Sequence, residues 1–162
     1  MPTVRPTLLL ALALTACAGP FVPQSECRVY GQGPVFGEGK LDCALVESRF
    51  ELAKKTLIER GLIPPDKFDV AFTGVTFWIR DSNDPFECEK KHEGPAKNSG
   101  CYYVKAREVL TTKDMETILH EMLHHWQLAI LQVNPNGSEH LGWAENGYYK
   151  ADVAFRHVVL GF

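Results

Sequence analysis

The chain has 162 residues, enough for one ordinary domain with a buried core and too few for two. Apolar residues make up 45% and charged residues 23%, the balance of a folded chain rather than a disordered tail. With 17 Lys and Arg against 20 Asp and Glu, a net charge of −3 argues against nucleic-acid binding through bulk electrostatics, and a sustained apolar stretch confined to residues 1–20 excludes a polytopic membrane protein.

At the N-terminus Arg5 precedes an apolar run from Leu8 to Leu14, and small residues follow. This is the layout of a secretory signal peptide, and the run falls short of the roughly 20 apolar residues of a spanning helix. Leu14-Thr15-Ala16-Cys17 resembles a bacterial lipobox. That resemblance implies removal of residues 1–16, lipidation of Cys17, and a tether over 17–26 leading to a domain at 27–162. Ala18 follows the Cys in place of Asp, which by the same resemblance implies a lipid anchor in the outer membrane, facing the periplasm. Beyond Cys17 four cysteines remain, Cys27, Cys43, Cys88 and Cys101. An even number in an exported small domain implies two disulfides. Pairing of sequence neighbours, 27 with 43 and 88 with 101, is expected. A thiolate zinc site lacks the needed C-x-x-C spacing.

Apolar residues from Leu41 to Ile58 recur at helical spacing, and Gly61 with Pro64-Pro65 supplies a stop, so a helix is expected there. From Phe68 to Arg80, Val70, Phe72, Val75, Thr76 and Ile79 favour strand, with Gly74 as a bulge or a split. Residues 81–100 read as a long polar loop bounded by Cys88 and Cys101, either functional or a solvated insertion. Cys101 to Lys105 is a short strand signal, and Val109-Leu110 continues the sheet.

Thr111-Thr112 with Asp114 and Glu116 reads as the start of the next helix, carrying Met115, Ile118, Leu119, Met122, Trp126 and Ile130 as an apolar stripe. Inside it lies His120-Glu121-Met122-Leu123-His124, an H-E-x-x-H pattern. With Met115 at zero, His120 falls at about 140° and His124 at about 180°, one turn apart and opposite the stripe. Two imidazoles so placed can share one zinc ion, with Glu121 at the edge of the same face as general base. His125 points elsewhere and reads as a neutral packing residue or as support behind a ligand.

Catalytic zinc takes three protein ligands, and His140, Glu145, Asp152 and His157 are the downstream candidates. Asn134-Pro135-Asn136-Gly137 supplies a turn that brings the chain back, and a final helix is expected from Trp143 to Val159. Composition leaves His140 and Glu145 level. The segment Thr117 to Gln127, followed by a histidine after a short polar loop, resembles the SprT-like family of zinc metallopeptidases. The resemblance spans roughly Leu41 to the C-terminus and implies His140 as third ligand. His140-Leu141-Gly142 departs from that family's His-Gly, which keeps Glu145 in play.

The expected fold is α+β: a small zincin-like domain with a helix, a short antiparallel or mixed sheet, an active-site helix and a C-terminal helix. The expected activity is zinc-dependent hydrolysis of peptide bonds in a protein or peptide substrate laid along the sheet edge. Two rival readings are a zinc-binding lipoprotein without turnover and a structural envelope lipoprotein. No nucleic-acid partner is expected. Tyr148, Tyr149 and His157 read as packing residues.

Overall fold

The computed structural model describes residues 22–29, 31–88, 97–133 and 140–162. The expected signal segment, Cys17, half of the expected tether, the expected 134–137 turn and part of the expected 81–100 loop lie outside the described residues. The fold is α+β, with four α-helices and a five-stranded mixed sheet among the described residues.

Strands β1 (Ser25–Arg28) and β2 (Pro34–Gly37) form an antiparallel pair. Helix α1 (Cys43–Glu59) follows, capped by Asp42, whose carboxylate accepts from the amides of Ala44 and Leu45 at 3.0 and 3.3 Å. It buries Val46, Phe50, Ala53 and Leu57, a single face at helical spacing. Phe50 meets Phe77 edge-on at 4.7 Å, and burying each such ring contributes about 1.5–3 kcal/mol.

Helix α2 (Pro65–Phe72) corrects the strand expected from Phe68. Pro65 sits at the start, where its missing N–H leaves no bond unmade. Phe68, Ala71 and Phe72 are buried at helical spacing while Val70 is exposed, so burial overrides β-propensity. Gly74 lies in the turn after α2, and β3 (Thr76–Ile79) begins beyond it.

Part of the expected 81–100 loop is ordered as β4 (Phe86–Glu87) and β5 (Lys97–Asn98), an antiparallel pair too short to show a period in sequence. Then come β6 (Gly100–Tyr103) and β7 (Glu108–Thr111), joined antiparallel. The main sheet runs β1-β2-β3-β7-β6, with β2/β3 and β3/β7 parallel. Its helix-facing side buries Val35, Phe77, Ile79 and Val109. Phe36 and Trp78, neighbours in register, stack at 4.8 Å on the other side.

Helix α3 (Ile118–His125) starts later than its acidic lead-in suggests. Met115 is buried in a left-handed conformation at φ +54°, which ends any helical continuity before Ile118. Thr117 stands at the start without capping the helix. Its hydroxyl instead donates to the Ser99 carbonyl at 2.9 Å and lies 3.0 Å from the Thr111 hydroxyl. Past His125 the helix widens into a π-helical turn, Trp126–Ile130. Helix α4 (Tyr148–Leu160) begins five residues beyond the expected Trp143, because 140–147 are turns. Two disulfides, Cys27–Cys43 and Cys88–Cys101, join the sequence neighbours. No helix among the described residues is long and apolar enough to cross a membrane.

Candidate metal centre

One turn of α3 separates His120 and His124, and their Nε2 atoms lie 3.2 Å apart. His140, from the turns ahead of α4, brings its own Nε2 to 3.2 Å from that of His120. The ligand atoms of all three lie within 4.8 Å of one another, the one such group found among the described residues. Glu145, the alternative third ligand, is exposed and lies outside this group.

Trp143 is the floor of the cluster. It is fully buried, and its ring centroid stands 4.7, 4.8 and 4.6 Å from the imidazoles of His120, His124 and His140. Gly142, left-handed at φ +79°, makes the turn between His140 and this ring. Gln127, buried in the π-helical turn, accepts from the indole N–H and donates to the Leu141 carbonyl at 3.0 Å. A clasp therefore runs from the turn that follows α3 to the turns that carry His140.

The fit to a metal is testable from the hydrogen bonds. His120 Nδ1 lies 3.1 Å from Asp152 Oδ2. An ionised carboxylate only accepts, so Nδ1 carries the hydrogen and Nε2 presents its one lone pair. Two further ring nitrogens stand 3.2 Å from that single lone pair, which a hydrogen bond can satisfy only once. A cation among the three resolves the convergence. Tetrahedral ligands about 2.0–2.1 Å from zinc lie about 3.3–3.4 Å apart, close to the spacing here. The residues present fit a metal ion.

Asp152, a candidate ligand in the sequence, instead stands behind His120, on the far side of its ring from the cluster. Burial alone pushes its carboxyl up, but the hydrogen bond and charge of His120, with Arg156, outweigh this and hold it below its ordinary value. Arg156 Nε donates to Asp152 Oδ1 at 3.1 Å. Sequence reasoning missed Arg156, Gln127 and Trp143 as parts of the site. The i, i+4 spacing of Asp152 and Arg156 on a helix was the available signal.

Glu121 is almost fully buried and shares the pocket wall with the three histidines. A Cβ placed on Gly100 would lie 2.5 Å from Glu121 Oε1 and from Thr117 Oγ1. Only glycine on β6 lets the carboxylate rest there. The pocket, about 370 Å³, is bounded on one side by β6 and on the other by α3, with Leu128 and Arg156 at its margin.

His125 faces away from the pocket and has no exposed surface. Its Nε2–H donates to the Ala71 carbonyl at 2.9 Å, and the Tyr102 hydroxyl donates to Nδ1 at 2.8 Å. Burial pushes its pKa down, so the ring is neutral. Burial also drives the Tyr102 phenol up to about 12. These bonds fasten α3 to α2 and to β6.

Tyr148 is buried beside Trp143, whereas Tyr149 is exposed, with its ring 6.1 Å from that of His140. His157 is exposed and remote from the cluster, against Phe162. Neither a protein-family model, nor a curated protein, nor a solved structure matches this chain.

Proposed function

We propose that this chain is an exported zinc peptidase, with His120, His124 and His140 as metal ligands and Glu121 as general base. The carrying observation is the convergence of three imidazole ring nitrogens beside a buried carboxylate, next to the end strand of the sheet among the described residues. The H-E-x-x-H spacing and the resemblance to SprT-like metallopeptidases point the same way.

Three neutral imidazoles are a donor set of catalytic zinc, which keeps one coordination position open. Held by His120, His124 and His140, zinc would supply Lewis acidity, polarising a carbonyl and making a water molecule more acidic. The residues of the chain do the rest. Asp152 fixes the His120 ring with Nε2 turned inward. Trp143 covers one side of the ligand rings and shields them from water. Glu121 takes a proton from the attacking water and returns it to the leaving amine. Among the described residues the main sheet ends at β6, and an extended peptide would add along that edge through main-chain N–H and C=O groups. Lipidation at Cys17 would hold this domain at the outer membrane, facing the periplasm. Two disulfides suit such an oxidising compartment.

The test is hydrolysis of an unfolded protein and of a fluorogenic peptide library by zinc-loaded protein. Glu121→Gln is expected to lower the rate by about 10²–10⁴-fold while zinc content stays at the wild-type level. Equal rates for the two proteins would overturn the peptidase reading and leave a zinc-binding module.

A further inference from the structure

The pocket beside the metal centre carries two formally charged side chains among the described residues, Glu121 and Arg156. Glu121 is the general base of the proposed reaction. Arg156 has no part in that chemistry, yet it is fixed in place. Its Nε donates to Asp152, and the other oxygen of that carboxylate holds His120. The guanidinium thus stands one carboxylate away from a metal ligand, with about a third of the side chain exposed.

Arginine carries five N–H donors in a planar fork that matches a carboxylate, and the Nε contact to Asp152 employs one of them. Charge balance favours the same ligand. A divalent ion and Arg156 together outweigh Glu121 and Asp152 by one positive charge. A site whose described residues carry that net charge, in a pocket of about 370 Å³, attracts an anion.

We propose that Arg156 is a specificity residue that binds a substrate carboxylate close to the scissile bond; the proposal rests on the peptidase reading of the site. The carboxylate has two sources, the C-terminus of a peptide or an acidic side chain flanking the cleaved bond.

The first measurement needs no turnover. Zinc-loaded protein is titrated by calorimetry with a hydroxamate bearing a carboxylate arm and with its carboxamide twin. The acid is expected to bind about 10–100-fold tighter, the range of charge-assisted bidentate bonds. Arg156→Gln is expected to bring the ratio of the two affinities to about one, and Arg156→Lys to leave part of it, because charge survives while the fork is lost. Should Arg156→Gln fail to hold zinc, Arg156→Lys alone decides. Equal affinities in the wild type, or a preference untouched by both substitutions, would overturn the proposal. A chain that shows the preference but cleaves nothing loses the peptidase reading and keeps the anion site. The second measurement compares hydrolysis of matched peptides. A rate lost on amidation of the C-terminus assigns the terminal carboxylate, and a rate lost on exchanging a flanking Glu for Gln assigns the side chain. Indifference to both would contradict the inference.

Discussion

Helix α3 carries histidines on two sides, and the sides differ in how their ring nitrogens are satisfied. On the core side, His125 gives one hydrogen bond to the Ala71 carbonyl and receives one from Tyr102. On the pocket side, the Nε2 atoms of His120 and His124 point at each other and at His140, across distances that suit ligands of one ion. Burial alone does not separate the two environments, since His124 and His125 are both buried. What separates them is directionality: a donor and an acceptor that each meet a separate partner on one side, three ring nitrogens brought together on the other. The first pattern fastens a helix, and the second calls for a cation.

Substitutions break this contrast in graded steps. His124→Ala should have the largest effect, loss of the metal and with it all hydrolysis, read by metal analysis and peptide assay. Asp152→Asn weakens the orientation of His120 without removing a ligand. Metal affinity should fall about 10–100-fold in a competition titration against a chromophoric chelator. Gly100→Ala forces a methyl against Glu121 Oε1 and Thr117 Oγ1. Hydrolysis should fall about tenfold with metal affinity unchanged, as expected when a catalytic group is shifted by a fraction of an ångström. His125→Ala acts on the other side of the helix. It leaves the Ala71 carbonyl and the Tyr102 hydroxyl without their partner, a loss of about 2–3 kcal/mol. The melting temperature should drop by roughly 5–10 °C while the protein still binds zinc.

The metal side of this contrast was readable in the sequence because its signal is local. His120, Glu121 and His124 lie within five residues, and helical geometry alone places both imidazoles on one face. His140 needed a family resemblance to rise above Glu145, because no helical period connects His124 to a residue sixteen positions later. Asp152, Arg156, Gln127 and Trp143 act through the tertiary arrangement of α3, the π-helical turn and α4, which no spacing rule encodes. The fold divides in the same way. α1 announced itself through its stop signals and apolar face, whereas α2 was hidden behind the strand-like residues Val70 and Phe72. The early helix start at Met115 failed because its backbone is left-handed there, a feature its acidic neighbours do not reveal.

The most direct test of the central claim is anomalous diffraction at the zinc edge from crystals of the domain grown with zinc. The account predicts one strong peak equidistant from Nε2 of His120, His124 and His140, with Glu121 beside it. A map with no peak at that point, or rings turned away from one another around a peak elsewhere, would contradict it.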